Sequence, residues 1–183
     1  MQSQTRIVTA AAIVALMSGL GFVRPATAYA QAAASKLDDP TIVAIFDAAN
    51  TYDMETGALA VRKSHSKTVR DFGAMLVRDH RNVRAQGRDL AKSLKVTPTP
   101  PRDFALAKAH GVAMRALRKA NGTAFDRAFL QHEVDFHNAV IDAVTTTLLP
   151  AIQNGQLKDL VTKVAPAFGA HRDRAQMLLD GLK

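Results

Sequence analysis

Imidazole and carboxylate side chains interrupt the apolar stripes of several stretches with helical periodicity. Apolar residues that recur three or four positions apart mark the buried face of a helix, and both His80 and His171 fall in the middle of such a stripe. Glu133 and His137 are four residues apart, which stacks them on one helix face, and that face also carries Val140. The sequence therefore predicts that three helices direct these four side chains toward the interior of a helical bundle.

This set of side chains is typical of a divalent metal site. A carboxylate that is buried alone is costly and needs a cation or hydrogen bonds, and imidazole and carboxylate groups from facing helices suit a Zn, Fe, Mn or Cu ion. The first predicted helix adds Asp53 near the centre of its stripe and Glu55 at its edge, and Asp79 precedes His80. The alternative is that each histidine is an ordinary core residue whose polar atoms are satisfied by hydrogen bonds.

Signatures of other chemistries are missing from the sequence. The spacing His-Glu-x-x-x-His at 132–137 differs from the His-Glu-x-x-His of metalloproteases, and there is no phosphate-binding loop, dinucleotide fingerprint or nucleophile elbow. The absence of cysteine excludes disulfides, thiolate ligands and a cysteine nucleophile. His65 and His132 fall on polar faces, where we expect them to be solvated, and His110 falls in the stripe of the third helix.

Five helices account for most of the chain, and no stretch alternates as a strand would. The predicted helices span residues 39–63, 67–94, 103–120, 123–149 and 156–182. Asp39 and Pro40 predict the first helix start, with Asp39 as the N-cap, and Thr123 is the predicted cap of the fourth helix. Pro98, Pro100 and Pro101 predict an extended connector. The pattern favours an all-α, up-and-down four-helix bundle with an additional shorter helix, over residues 39–183.

The first 30 residues have the features of a secretory signal peptide. Arg6 supplies a positive charge, an apolar stretch covers residues 7–23, and Ala28 and Ala30 fit the small-residue rule for cleavage. We expect cleavage after Ala30, with Ala28 as the alternative, followed by a tether at residues 31–38. No later segment is apolar enough to cross a membrane. The predicted location is the periplasm, either free or peripheral to the outer membrane.

The charge of the chain bears on its partners. The full sequence carries a net charge of +8, with basic and acidic residues interspersed. The export signal and the scarcity of aromatic residues argue against nucleic acid as a partner. An envelope protein or an anionic surface is the expected partner, and the oligomeric state stays open.

The chain resembles the ferritin-like domain of unknown function 4142 family over roughly residues 39–182. The motifs that carry the resemblance are Phe46, Glu55, Leu59-Ala60, Val69-x-x-Phe72-x-x-Met75, Asp79-His80, Phe125-Asp126, His137 and His171. The resemblance implies a ferritin-like four-helix core with an extra helix. The wider ferritin-like group builds di-iron sites with Glu-x-x-His motifs, whereas Val77 and Phe168 occupy the glutamate positions here. This departure disfavours a standard di-iron site.

Taken together, the residues and the resemblance favour a non-enzymatic periplasmic protein that binds one divalent metal ion. The expected ligands are Glu55, His80, Glu133, His137 and His171. Two alternatives stay open. One is an envelope stress or interaction protein whose polar core residues are structural, and the other is a metal oxidase with reduced carboxylate content.

The export signal yields a direct prediction. N-terminal sequencing of the protein recovered from the periplasm should begin at Gln31 or at Tyr29, because signal peptidase cuts after small residues spaced in this way. Recovery of the protein from the cytoplasm with Met1 retained would contradict the predicted export.

Overall fold

The computed structural model describes residues 37–182, and this part of the chain is all-α without strands. The predicted signal peptide and residues 31–36 of the tether lie outside the described residues, as does Lys183. The helices are α1 (Asp39–Lys63), α2 (Lys67–Ser93), α3 (Ala105–Lys119), α4 (Gly122–Ala143), the short α5 (Leu149–Ala151) and α6 (Gly155–Asp180), with a π-helical segment at Val144–Leu148. The predicted all-α class is confirmed.

The start of α1 differs by one residue from the sequence prediction. Asp38, rather than Asp39, is the N-cap, and its carboxylate accepts a hydrogen bond of 3.0 Å from the Thr41 amide. The Asp39 carboxylate instead accepts hydrogen bonds from the backbone amides of Gln153 and Asn154, at 2.9 Å each. Both carboxylates therefore satisfy amides that helix geometry leaves free, and Asp39 ties the start of α1 to the turn before α6.

Two antiparallel helix pairs, α1 with α2 and α4 with α6, form the bundle. The connector after α2 lies beside the start of α1, where the Thr99 amide donates to the Pro40 carbonyl at 3.1 Å. At the other end of α3, the Lys63 ammonium donates to the Arg118 carbonyl. Since α3 runs from one end of the bundle to the other, α4 starts at the end where α1 finishes and runs parallel to α2. One such long crossover is an established way of joining the two pairs of a four-helix bundle.

The fourth helix is shorter than predicted and starts differently. Its N-cap is Asn121 rather than Thr123, and Gly122 adopts a positive φ of 54°, a conformation that glycine reaches at little cost. The helix ends at Ala143, and a π-helical segment replaces its predicted last turn. Pro150 has no amide hydrogen to continue the α-helical pattern, and the hydroxyl of Thr145 bonds to backbone carbonyls of the preceding turn, which competes with that pattern.

Two apolar clusters, one toward each end of the bundle, hold the four long helices together. The first includes Leu59, Phe72, Phe125, Phe129 and Leu179. The second includes Ile42, Phe46, Ala91, Val161 and Phe168.

A layer of buried polar residues separates the two clusters. Along α1, α2 and α6, the polar residues lie in sequence between the residues of one cluster and those of the other; on α4, His137 does so, and Glu133 lies next to Val134 of the first cluster. The members of this layer are Asn50, Asp53, Thr56, His80, Glu133, His137 and His171. Packing on both sides fixes the helices and so positions this layer. Within residues 37–182, no helix combines the length and the apolar character needed to span a membrane.

The pairing of α1 with α2 depends on glycine at their crossing. A Cβ atom added at Gly73 would lie 2.6 Å from the Gly57 carbonyl oxygen, so Gly73→Ala must push the helices apart. We expect it to lower the free energy of unfolding by about 1–3 kcal/mol, as overpacking does. Gly169→Ala is the matched control, because no atom lies within 4 Å of the added Cβ, and it should raise stability by about 0.5–1 kcal/mol. Urea denaturation measures both, and equal effects of the two substitutions would contradict the tight crossing.

Candidate metal centre

Three histidines from three helices converge in the polar layer. His80 on α2, His137 on α4 and His171 on α6 are 2%, 1% and 5% exposed. Each offers one ring nitrogen, and these nitrogens lie within 4.8 Å of one another. The closest pair is His80 Nε2 and His171 Nδ1, at 3.2 Å.

Hydrogen bonds fix His80 in one tautomer. The Asn50 side-chain amide donates to the Phe46 carbonyl at 2.8 Å, so its oxygen faces His80 Nδ1, at 2.9 Å. Because an amide oxygen only accepts, His80 Nδ1 carries the proton and donates. The lone pair of His80 is therefore on Nε2, the atom that faces the other two histidines.

His137 and His171 are oriented in the same manner. His137 Nδ1 donates to the Glu133 carbonyl at 2.8 Å, which leaves the lone pair on Nε2, a buried atom with no hydrogen-bond partner. His171 Nε2 lies 3.3 Å from Asp79 Oδ2, and its Nδ1 faces His80. The outward nitrogen of each imidazole thus meets an oxygen, as the outer partners of metal-bound histidines do.

The spacing of these nitrogens fits a single ion. Two nitrogen ligands at about 2.0–2.1 Å from a Zn²⁺ ion stand roughly 3.3 Å apart at a tetrahedral angle. The 3.2 Å between His80 Nε2 and His171 Nδ1 matches that separation. The partnerless Nε2 of His137 would supply a third ligand atom, so the residues present suit a metal ion in their ligand types, their proximity and their hydrogen bonding.

Two buried carboxylates stand beside the three imidazoles. Asp53 Oδ2 lies 3.6 Å from His80 Nε2, and Asp53 Oδ1 lies 3.9 Å from His137 Nε2. Asp53 Oδ1 and both oxygens of Glu133 are buried without a hydrogen-bond partner. Asp53, Glu133 and His137 form a second group whose ligand atoms also lie within 4.8 Å of one another. Buried polar atoms without partners are costly, and a cation would supply the missing interaction.

Burial sets the protonation of these groups. It lowers the pKa of His80 to about 2 and that of His137 to about 4. The pKa of His171 is also lowered by burial, against the opposing effect of Asp79. Burial raises the pKa of Glu133 to about 7, and burial together with Glu133 raises the pKa of Asp53 well above its usual value. The imidazoles are therefore neutral near pH 7, which is the form that binds metal.

The structure brings together four of the five predicted ligands. Glu55 is not among them, because its side chain is 51% exposed and its Oε2 lies 2.8 Å from His110 Nε2. His110 stacks on Tyr52, with ring centroids 4.1 Å apart. Asp53 takes the place beside the cluster that was expected of Glu55.

The remaining sequence expectations have mixed outcomes. His65 is exposed, as predicted, but His132 is half-buried against Phe136, and burial lowers its pKa to about 4. Asp79 lies against His171 of α6, with 3.3 Å between Asp79 Oδ2 and His171 Nε2. The role of Asn50 in orienting His80 was not predicted from the sequence. The one sequence signal for this role is that Asn50 lies three residues before Asp53 in the stripe of α1.

Comparison with known proteins assigns a family. The family described as Domain of unknown function (DUF4142) matches residues 24–178, which is most of the chain, and the chain belongs to this family. Neither a curated protein nor a solved structure matches it.

The buried titratable groups predict a particular pH dependence of stability. A histidine whose pKa is lowered on folding costs stability as the pH falls below about 6.5, because the unfolded chain then binds the additional proton. Glu133 acts in the opposite sense, because its raised pKa gives it a stabilising contribution that grows as the pH falls from about 7 toward 4.5. With chelator present, Glu133→Gln should therefore lose stability with acid more steeply than wild type, by up to about 1.4 kcal/mol per pH unit.

Urea denaturation between pH 7 and pH 5 measures this difference. Asp71→Asn is the control, since Asp71 forms only an exposed pair with Lys67, and such pairs contribute little. Parallel stability curves for wild type and Glu133→Gln would show that Glu133 is ionised in the folded protein throughout this range.

Proposed function

We propose that this member of the DUF4142 family is a periplasmic protein that binds one divalent transition-metal ion in the polar layer of its helical bundle. The proposed ligands are His80, His137 and His171, with Asp53 as a fourth and Glu133 beside it. The observation that carries the proposal is the orientation of the three imidazoles. Each turns one nitrogen to an oxygen outside the three histidines, and the ligand nitrogens of the three lie within 4.8 Å of one another.

The ligand chemistry narrows the choice of ion. Imidazole with one carboxylate suits Zn²⁺, Fe²⁺, Cu²⁺ and Mn²⁺, and the absence of thiolates disfavours softer ions such as Cu⁺. Three neutral imidazoles and one carboxylate satisfy a four-coordinate Zn²⁺ ion. An ion that prefers five or six ligands would retain positions for other molecules.

A second candidate function is a metal oxidase, and the second group of ligand atoms favours it. Asp53, Glu133 and His137 overlap with the three-histidine group at His137, and they add the carboxylates that hard, redox-active ions such as iron prefer. Oxygen consumption by the Fe²⁺-loaded protein, with the Zn²⁺-loaded protein as reference, separates this candidate from simple metal binding. A steady rate above the reference would favour the oxidase.

The proposed location rests on the amino-terminal sequence. Arg6, the apolar run and the small residues at Ala28 and Ala30 support export to the periplasm. Because the chain has no cysteine, disulfides cannot stabilise the fold in that compartment. Its apolar core and a bound ion would stabilise it instead. An envelope protein or an anionic surface is the proposed partner.

The metal site predicts how single substitutions change metal-dependent stability. A ligand that binds only the folded protein raises its melting temperature, so Zn²⁺ should stabilise wild type relative to chelator. His137→Ala and His171→Ala should abolish stoichiometric Zn²⁺ uptake and this gain, while the helical circular dichroism signal persists. Glu55→Gln and His65→Ala are the controls, since neither residue lies in the polar layer, and both should retain the wild-type response.

The same melts test the alternative in which the histidines are structural. In that case His137→Ala should cost about 1–3 kcal/mol equally with chelator and with Zn²⁺. Elemental analysis of protein purified from its native periplasm identifies the ion. Wild-type protein that takes up no metal and shows no metal-dependent melting would refute the proposed function.

A further inference from the structure

An apolar pocket leads from the surface of the bundle to the polar layer. It lies between α1, α3 and α4 and has a volume of about 510 Å³. Leu106, Phe136 and Val140 line its walls, and Ala109 and Ala139 lie at exposed positions where it opens. The pocket exists because α3 crosses the bundle with few contacts to α1 and α4.

The inner end of the pocket is formed by residues of the candidate metal centre. Asn50, Asp53 and His80 line it there, next to Phe168. The Asn50 side chain already uses its amide nitrogen as donor to the Phe46 carbonyl and its oxygen as acceptor from His80. Asp53, by contrast, is 3% exposed and its Oδ1 has no hydrogen-bond partner. A molecule in the pocket would therefore meet an unpartnered buried carboxylate oxygen at its inner end.

The size and lining of the pocket restrict its occupant. A water molecule takes up roughly 30 Å³, so the pocket is much larger than a water or a dioxygen molecule needs. Its volume lies within the range of pockets that hold small organic molecules. Apart from Asp103 and Thr147 toward the surface, the walls are apolar. They therefore suit an unbranched apolar tail of on the order of ten heavy atoms, because burying such a tail is favourable.

The metal centre would select the head group of that molecule. With Glu133 neutral, three neutral imidazoles and the Asp53 carboxylate would leave a divalent ion with a charge of about +1, and a buried charge is costly until it is balanced. A monoanionic head group on the pocket side of the ion would provide that balance. Of the three histidines only His80 lines the pocket, so His137 and His171 leave the pocket side of the ion to another ligand.

We propose that the pocket between α1, α3 and α4 binds a medium-chain carboxylate, with its tail along Leu106, Phe136 and Val140 and its carboxylate on the ion held by the three histidines. This inference rests on the proposed metal-binding function and specifies the class of molecule that the site takes. The π-helical segment supports it, because Val144, Thr147 and Leu148 of that segment line the pocket, and π-helical turns are frequent at functional sites.

The experiment uses the purified protein loaded with Co²⁺, whose visible absorption reports its ligands. Decanoate, kept below its micelle concentration, and acetate are titrated separately. Decanoate should change the Co²⁺ spectrum at a concentration at least tenfold lower than acetate does. In calorimetry, decanoate should bind the metal-free protein at least tenfold more weakly than the Co²⁺ protein, because the head group then lacks its partner.

Matched tryptophan substitutions locate the tail. Ala109→Trp and Ala139→Trp fill the pocket and should weaken the decanoate response at least tenfold, while Co²⁺ uptake and the acetate response stay unchanged. Ala116→Trp is the control, since Ala116 is another exposed alanine of α3 but does not line the pocket. It should leave the decanoate response at the wild-type concentration.

The results separate the inference from the function on which it rests. Failure of Co²⁺ to bind stoichiometrically would overturn the metal site and the inference with it. Normal Co²⁺ binding with equal responses to decanoate and acetate would overturn the inference alone. Equal decanoate affinity with and without metal, or equal effects of Ala109→Trp and Ala116→Trp, would likewise overturn it.

Discussion

The burial of a polar layer between two apolar clusters is the constraint on which the rest of this structure depends. Glu133, His137, His80 and Asp53 are at most 3% exposed. Removing such groups from water costs several kcal/mol unless they find partners. The layer supplies some of these partners internally, through Asn50 and the Glu133 carbonyl. The atoms left without partners lie close to one another, and this arrangement is what supports the proposed metal site.

The architecture holds this layer in place from both sides. Gly57 and Gly73 bring α1 and α2 so close that a methyl group cannot be inserted, and Phe46 packs against Gly87 in the same helix pair. These contacts fix Asp53 and His80 relative to each other. The pairing of α6 with both α4 and α2 then places His137 and His171 opposite them. In contrast, α3 packs loosely, and the pocket beneath it is the opening that this arrangement leaves.

The sequence was sufficient to predict much of this arrangement. Helical periodicity predicted the four long helices, and a polar residue in the middle of an apolar stripe predicted His80, Glu133, His137 and His171 in the interior. The ligand set predicted from the sequence contained Glu55 and not Asp53, although positions two residues apart differ by about 200° around a helix and Asp53 lay nearer the stripe centre. The structure buries Asp53 and leaves Glu55 half exposed.

Other features do not follow from helical periodicity, some for local reasons and some because of tertiary contacts. The π-helical segment requires the combined effect of the threonines and Pro150, and sequence periodicity predicted an uninterrupted helix there. His132 lies on the polar face of α4, but its packing against Phe136 and its proximity to α3 bury it partly. Likewise, Asp79 contacts His171 of another helix and not its sequence neighbour, because adjacent residues on a helix point in different directions.

The hydrogen bonds of the polar layer conflict with one another, and a cation bound there would remove the conflict. Asn50 places the proton of His80 on Nδ1, so the lone pair on Nε2 must accept from His171 Nδ1. A neutral His171 that donates from Nδ1 has no proton left on Nε2, and its lone pair then faces the Asp79 carboxylate at 3.3 Å. Protonating His171 would satisfy Asp79, but burial opposes that charge. His80 Nε2 and His171 Nδ1 would both offer a lone pair to a metal ion, and the His171 proton would then lie on Nε2 and be donated to Asp79. One arrangement of protons would satisfy Asn50, Asp79 and the Glu133 carbonyl together, which is the outer hydrogen-bonding pattern of metal-bound histidines.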